Sequence, residues 1–265
     1  MLRMVGLYKT FNLGINSVCA LKNINLHVKP QDFITIIGSN GAGKSTLLSV
    51  AAGVYPPDEG AIYIDGTDVT RLPEHLRASF VGRVFQDPLQ GTAASMTIEE
   101  NLAMAECRSK GRTLGIGVTR KKRERYRELL SLLGLGLEER LSDPVGLLSG
   151  GQRQSLTLLM ASLGQPKLLL LDEHTASLDP RTAEQVLELT QTIVRKHGLT
   201  VLMVTHNLSH ALTMGNRTIM LDKGEIILDI CEPERGELTV DDLLGRFAQA
   251  RGERLLDDRL LLAAR

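Results

Sequence analysis

The sequence is poor in cysteine and in aromatic residues, and it carries no net charge. Its three cysteines are odd in number and far apart, which excludes a disulfide framework and a paired-cysteine metal site and predicts a reducing compartment. Basic and acidic side chains number 31 each, so the field of the whole molecule does not attract nucleic acid or an anionic lipid surface. Tryptophan is absent and aromatic residues make up 3% of the chain, so stacking on a ligand has to come from a few Tyr and Phe residues.

Long hydrophobic runs are absent as well. The longest aliphatic stretches, 168–171 and 201–204, have the length of strands, whereas a membrane-spanning helix needs about 20 apolar residues. Arg3 and Lys9 interrupt the first residues before an apolar run can develop, so we expect no signal peptide. The sequence therefore predicts a chain that does not cross a membrane by itself.

Short runs rich in Ile and Val alternate along the chain with helical patterns. Hydrophobic residues make up 43% and charged residues 23% of the 265 residues, as in one large globular domain or two small ones. The alternation predicts an α/β fold with a mainly parallel sheet. Continuously apolar runs predict buried strands at 33–37, 168–171 and 200–205, and alternating runs predict strands with one wet face at 61–65 and 219–221.

Other segments predict helices and antiparallel strands. Residues before Pro30 predict antiparallel strands, whereas helical periodicity between 88 and 166 predicts an inserted helical region with a capped helix start at Thr97. A further helix is predicted at 239–250. The basic run at 119–127 contains Glu at helical spacing, and its balanced charge favours a solvated helix face over a phosphate-binding patch.

The sequence GSNGAGKST has the composition and context of a phosphate-binding loop, because it follows the strand predicted at 33–37 and precedes a helix-forming stretch. Its glycines let backbone N–H groups wrap an anion, and the helix N-terminus adds a favourable potential. Lys44 reaches toward the terminal phosphates of a nucleotide, and Ser45 offers a hydroxyl to Mg²⁺. The loop consists of Gly38, Ser39, Asn40, Gly41, Ala42, Gly43, Lys44, Ser45 and Thr46.

Two more patterns carry possible chemistry. Asp172 and Glu173 follow the strand predicted at 168–171, where one carboxylate can hold Mg²⁺ while the next points at a water molecule. The sequence LSGGQ precedes a helical run at 153–163, so Ser149 can cap a helix whose N–H groups form a second anion site. Taken alone, each pattern also fits a structural role, a solvated loop start for the carboxylates and a capped loop for LSGGQ.

The order of these motifs resembles that of the ATP-binding cassette ATPases, the nucleotide-binding subunits of ABC transporters. The resemblance extends over residues 1–230. The matching motifs are, in chain order, the Walker A motif at 38–46, the Q-loop glutamine at Gln86, the signature motif at 148–152, the Walker B motif at 168–173, the D-loop at 177–179 and the switch histidine at His206.

This resemblance implies a fold and its subdivision. The fold would be an α/β P-loop NTPase core of the ABC-ATPase type with an N-terminal antiparallel β subdomain and an inserted helical subdomain. The implied segments are a β arm at 1–32, a nucleotide-binding core at 33–87 and 166–230, a helical subdomain at 88–165, and a C-terminal tail at 231–265.

The resemblance also implies roles for single residues, with ATP and Mg²⁺ as the cofactors. Glu173 would polarise the attacking water, His206 would hold the terminal phosphate, and Lys44 would bind it as well. The metal would be held by Ser45, Gln86 and Asp172. Phe11 occupies the place of the aromatic residue that stacks on adenine, with Tyr8 as the neighbouring candidate.

The partners implied by the resemblance are proteins. Two copies of the chain would pair head to tail, so that one copy presents Ser149, Gly150, Gly151 and Gln152 to the terminal phosphate held by the other. Integral permease subunits would hold the dimer at the cytoplasmic face of the membrane, with an extracytoplasmic substrate-binding protein as an indirect partner and no nucleic acid. Stretches around 86–105, 147–162 and 169–180 further resemble bacterial tryptophan/tyrosine-type uptake systems.

The resemblance thus implies an ATP-hydrolysing subunit that energises the uptake of a small solute, such as an amino acid, through a separate permease. An export ATPase would use the same chemistry and stays open as an alternative. A non-transport cassette of translation or DNA repair would carry two cassettes, a long coiled-coil insertion or a strongly basic region, none of which the sequence shows. A signalling module without hydrolysis would lack Glu173 or His206, and both are in place. His174 stands where the family usually has Pro, and we expect a structural residue there rather than a ligand or a pH sensor.

Overall fold

The computed structural model describes residues 1–14, 16–109 and 117–251. They form two compact units, Met1–Arg77 with the chain from Thr200 onward, and Ala78–Leu199. Residues 110–116 of the predicted helical subdomain and 252–265 of the predicted tail lie outside the described residues. The strands and helices are β1 (Leu2–Leu13), β2 (Asn16–Val28), β3 (Phe33–Gly38), α1 (Lys44–Ala52), β4 (Glu59–Ile64), β5 (Thr67–Asp68), α2 (Glu74–Arg77), β6 (Val81–Val84), α3 (Ile98–Glu106), α4 (Arg120–Ser131), α5 (Gly150–Leu163), β7 (Leu168–Asp172), α6 (Pro180–His197), β8 (Thr200–Val204), α7 (Leu208–Thr213), β9 (Arg217–Asp222), β10 (Glu225–Cys231) and α8 (Val240–Arg251).

The first unit contains an antiparallel sheet with the strand order β2-β1-β4-β5. Leu2 of β1 lies opposite Val28 of β2 and Ile64 of β4, which confirms the antiparallel strands predicted before Pro30. In β4, Ile62 and Ile64 are buried and the residue between them is partly exposed, as the alternating pattern predicted.

The first unit also contains the strand that leads into the phosphate loop. β3 is buried along its whole length because it lies between two parallel neighbours, β8 and β9. β10 pairs with the other edge of β9 in antiparallel orientation. The buried strands predicted at 33–37 and 200–205 are therefore confirmed.

The predicted wet face at 219–221 is wrong. β9 is buried from Thr218 to Asp222. The C-terminal helix α8 explains the difference, since its fully buried Leu243 and Phe247 pack in one cluster with Met220 of β9. The helix predicted at 239–250 is present as α8, but no sequence pattern indicated that it covers this strand.

The second unit combines a parallel strand pair with helices. β6 pairs with β7, with Val84 opposite Leu171. Helix α3 begins at the predicted cap, where Thr97 and Glu100 form a capping box. The apolar faces of α3, α4 and α5 pack in one core that contains Ile98, Leu102, Tyr126, Leu130, Leu156 and Leu159.

The basic run at 119–127 lies mostly on α4, and its charges are paired rather than simply solvated. Arg120 faces Glu124 at an exposed position. Arg123 and Arg125, however, bond to two buried carboxylates of α3, Glu99 at 2.6 Å and Glu106 at 2.7 Å. One side of α4 is thus an electrostatic contact with α3, in agreement with a helix face and not with a phosphate-binding patch.

Candidate nucleotide-binding site

The phosphate loop between β3 and α1 has a backbone that only glycine tolerates at two positions. Gly38 and Gly43 have φ of +148° and +102°, in the region that L side chains rarely adopt. A Cβ atom on Gly38 would lie 2.2 Å from the carbonyl oxygen of Leu221, and one on Gly43 would lie 2.4 Å from that of Ala20. The glycines therefore let the loop pass close to neighbouring backbone.

Lys44 occupies the first position of α1 with its side chain inside the loop. Lys44 is 5% exposed, and its Nζ donates hydrogen bonds to the carbonyl oxygens of Gly38 at 2.8 Å and Ser39 at 3.0 Å. Among the described residues, no side chain caps the start of α1 at Gly43, and the first turn of the helix contains no acidic residue. The N-terminal N–H groups and the ammonium group thus form a positive end suited to phosphate.

The switch-histidine candidate lies at the same sheet edge as this loop. Ile36 of β3 pairs with Val204 of the parallel strand β8, so both strands end side by side. His206 follows β8 and is half-buried. The first unit therefore brings the predicted Lys44 and His206 to one edge.

In the second unit, the carboxylates and the Q-loop candidate also share an edge. β6 and β7 are parallel neighbours, with Gln86 two residues beyond β6 and Asp172 at the end of β7. Gln86 is exposed, and its carbonyl oxygen accepts a hydrogen bond from Ser177 at 3.4 Å. Thus the second unit brings Gln86, Asp172 and Glu173 together as parallel-strand topology predicts.

Asp172 has a cationic partner that sequence reasoning missed. Arg83 Nη2 lies 3.4 Å from Asp172 Oδ2, and both side chains are largely buried. The Arg83 guanidinium also lies 4.7 Å from the centre of the Phe85 ring. An arginine inside an apolar strand is the only signal in the sequence, since burial of such a charge requires a partner.

The LSGGQ segment starts α5 as predicted. The Gln152 N–H donates to Ser149 Oγ at 3.3 Å, and the Ser149 N–H donates to Gln152 Oε1 at 3.1 Å, which makes a capping box. Ser149 and Gly150 are exposed. Gly151 is buried, and a Cβ atom there would lie 2.2 Å from Thr182 Cγ2. The helix start therefore presents small residues to solvent.

Helix α6 begins at the predicted D-loop. Asp179 is its N-cap, and the hydrogen bonds that this carboxylate accepts from Thr182 lower the pKa of Asp179. The cap therefore stays ionised at neutral pH.

The adenine-stacking candidate belongs to an aromatic pair. Phe11 lies in β1 with its ring centre 5.1 Å from that of Tyr55, at an interplanar angle of 80°. Lys9 Nζ lies 5.6 Å from the centre of the Phe11 ring. Tyr55 is 42% exposed and was not predicted, whereas Tyr8 has no ring contact among the described residues.

Comparisons with known proteins agree with this geometry. The ABC transporter family model matches residues 21–176. The chain is 49% identical over 230 residues to a tyrosine transport ATP-binding protein of Clostridioides difficile, covering 86% of this chain and 91% of that protein. It is 37% identical to the methionine import ATP-binding protein of Chromohalobacter salexigens, with 86% of this chain and 63% of that protein covered.

Solved structures of cassettes are similar as well. A dimeric cassette in a post-hydrolysis state with bound ADP and Pi has a TM-score of 0.75 and 30% identity, and the match covers 87% of this chain and 98% of that one. The ADP conformation of another cassette has a TM-score of 0.76 and 25% identity, with 93% and 98% covered. This chain belongs to the ABC transporter family as one of its nucleotide-binding, ATP-hydrolysing cassettes.

Proposed function

We propose that the chain energises the uptake of an amino acid, with aromatic amino acids as the substrate class, through a separate permease. The observation that carries the ATPase part is the arrangement at the strand ends, with Lys44 and His206 following parallel neighbours in one unit and Gln86 and Glu173 following parallel neighbours in the other. The uptake part is supported by relatives that are named for tyrosine transport and for methionine import.

In the proposed reaction, the loop at 38–46 holds the phosphates and Phe11 stacks on adenine. Lys44 and His206 bind the terminal phosphate, whose equatorial oxygens carry negative charge in the transition state. The water oxygen bonds to the terminal phosphorus as the bond to the ADP oxygen breaks, and ADP leaves with that electron pair. Glu173 accepts a hydrogen bond from the attacking water and orients it. Positioning and charge stabilisation supply most of the rate enhancement in such phosphoryl transfer.

The residues proposed to hold Mg²⁺ offer the oxygen donors that this ion prefers. They are the Ser45 hydroxyl, the Gln86 amide oxygen and the Asp172 carboxylate. Asp172 and Gln86 fit this role, because they lie at and just beyond the ends of the parallel neighbours β7 and β6. Bound Mg²⁺ would neutralise charge on the phosphates.

The signature segment is proposed to act on a second copy of the chain. Ser149, Gly150 and Gly151 at the exposed start of α5 would contact the terminal phosphate held by the partner's loop, with Gln152 keeping the cap in place. Support comes from the dimeric cassettes that the chain resembles. No helix among the described residues is long and apolar enough to span a membrane, and we propose that a permease holds the dimer at the inner membrane face.

The experiment is ATP turnover by the chain co-purified with its permease and reconstituted in liposomes with the binding protein. We expect tyrosine or tryptophan to raise turnover and to accumulate on the side that contains ATP. E173Q should abolish turnover because the water loses its carboxylate. As a control, E188Q removes an exposed carboxylate on α6 and should keep normal turnover.

Each part of the proposal can fail separately. Near-normal hydrolysis by E173Q would contradict the role of Glu173. Movement of solute away from the ATP side would identify an exporter, and turnover that responds only to other solutes would reject aromatic amino acids.

A further inference from the structure

Glu173 has a backbone conformation that residues with a Cβ atom rarely adopt. Its φ is +47°, in the left-handed region. Such a conformation persists only where the surrounding structure holds it. The Ala176 N–H donates to the Glu173 carbonyl oxygen at 2.9 Å and closes a turn. This turn decides in which direction the Glu173 side chain leaves strand β7.

A buried glutamine on α5 bonds to the residue that follows Glu173. Gln154 is fully buried, and its Nε2 donates to the carbonyl oxygens of His174 at 2.6 Å and Phe85 at 3.0 Å. Phe85 directly precedes Gln86. One side-chain amide therefore links helix α5 to both the turn at Glu173 and the segment that precedes Gln86.

The other end of that amide indicates what the residue is for. Gln154 Oε1 is buried and has no hydrogen-bond partner among the described residues. A flipped amide would place this oxygen against two carbonyl oxygens, so the orientation is fixed by the two donated bonds. The unpaired oxygen costs stability, but an apolar residue of similar size would leave the carbonyl oxygens of His174 and Phe85 without their donor. The position is thus occupied by glutamine for the two bonds that it donates.

His174 is held from its side chain too. The residue is 1% exposed, and its Nε2 lies 3.2 Å from Thr190 Oγ1 on α6. The Thr190 hydroxyl donates its proton to the carbonyl oxygen of Val186 at 2.7 Å, so it accepts the hydrogen bond from His174. His174 therefore carries a proton on Nε2. Its main chain is tied to α5 and its ring to α6.

We propose that Gln154, His174 and Thr190 are positioning residues that hold the Glu173 carboxylate in line with the attacking water. This inference rests on the role of Glu173 proposed above. Loss of the bond between His174 and Thr190 would let the turn relax and move the carboxylate, while the groups proposed to contact ATP and Mg²⁺ stay in place. The expected signature is a lower kcat with an unchanged KM for ATP.

Thr190 provides the test with the best control. T190V removes the hydroxyl and keeps the shape of the side chain, whereas T190S keeps the hydroxyl. T192V makes the same change as T190V at an exposed position of α6. It is a matched control because the Thr192 hydroxyl also donates to the carbonyl oxygen four residues earlier. We expect kcat to fall about ten-fold in T190V, since a displacement of about 1 Å can cost up to about 100-fold. T190S and T192V should match the wild type in kcat and melting temperature. T190V should also melt at a lower temperature, because His174 Nε2 loses its buried acceptor, and the unchanged KM distinguishes its lower kcat from general misfolding.

A second variant covers the case in which T190V folds poorly. Q154L fills a similar volume without the two donated bonds, and it should lower kcat at least as much as T190V, because the segment before Gln86 loses its bond as well. The inference would be overturned if T190V and Q154L kept the kcat of the control T192V. It would also be overturned if their lower kcat came together with a lower melting temperature and a changed KM for ATP. If E173Q kept normal turnover, the proposed function itself would fail. If E173Q were inactive while T190V and Q154L had normal turnover, only the positioning role would be rejected.

Discussion

At Gly43 two separate demands exclude a side chain. The backbone has φ of +102°, and a Cβ atom would lie 2.4 Å from the carbonyl oxygen of Ala20. Gly41 in the same loop has φ of +79° but nothing within 4 Å of a built Cβ. Gly41 is therefore required only for its backbone conformation, whereas Gly43 is required for its conformation and for the close approach to Ala20.

We predict that G41A and G43A differ in severity. G41A should lower the free energy of unfolding by about 1–2 kcal/mol, the usual penalty for an alanine in the left-handed conformation. G43A should cost more and weaken nucleotide binding more strongly, because the added methyl group must also displace the backbone at Ala20. Affinity for a non-hydrolysable ATP analogue and thermal unfolding measure both effects. Equal losses in the two variants would show that the close approach has no influence.

What the sequence predicts at this scale is local. The loop at 38–46, the cap at Ser149 and the carboxylates after β7 were predicted because their spacing alone determines the geometry. Arg83 pairs with Asp172 across 89 positions, and Gln154 bonds to Phe85 across 69. No local pattern encodes such partners, so they required the structure.

Among the elements, α3 and α4 were both predicted as helices, but the contact between them was not. Glu106 of α3 is buried and contacts three groups of α4: Lys122 at 3.4 Å, Arg125 at 2.7 Å and the Tyr126 hydroxyl at 3.0 Å. Burial and the bond to Glu106 raise the pKa of Tyr126, so the phenol stays protonated and donates. Helical spacing indicated only charge pairing within α4, of Glu124 and Glu128 with the neighbouring bases, and the exposed Arg120–Glu124 pair is an example.

We predict that E106Q destabilises the helical region and that E124Q does not. The first substitution removes a charge that three groups share in a buried place, and we expect a loss of about 1–3 kcal/mol. The second affects an exposed pair, and we expect a change within about 0.5 kcal/mol. Denaturant unfolding at neutral pH measures the difference, and equal values would contradict it.

Across the whole molecule, the proposed catalytic residues are divided between the two units. Lys44 and His206 belong to the first unit, whereas Gln86, Glu173 and Ser149 belong to the second. The antiparallel sheet, the parallel strands and the helical region were all predicted from periodicity. The covering of β9 by α8 was not, because it depends on where the chain returns after a loop.

A mixing experiment tests the head-to-tail dimer at this scale. K44A disables the phosphate loop and S149R blocks the signature segment, so each variant alone should lack turnover. In a mixed dimer, one site combines an intact loop from one copy with an intact signature from the other. An equimolar mixture should therefore regain about a quarter of wild-type turnover if the sites are independent. No recovery in the mixture, or normal turnover by S149R alone, would reject this pairing.

The buried ammonium group of Lys44 also has a consequence for ionic strength. Surface lysines that attract phosphate lose affinity steeply as salt screens them. Lys44 is 5% exposed and already bonded to two loop carbonyls, so dissolved ions have little access to it. The arrival of a nucleotide exchanges one set of oxygen partners for another inside a shielded pocket. Nucleotide affinity should accordingly depend only weakly on salt concentration, and polyphosphates, with the most negative oxygens, should gain most from the exchange.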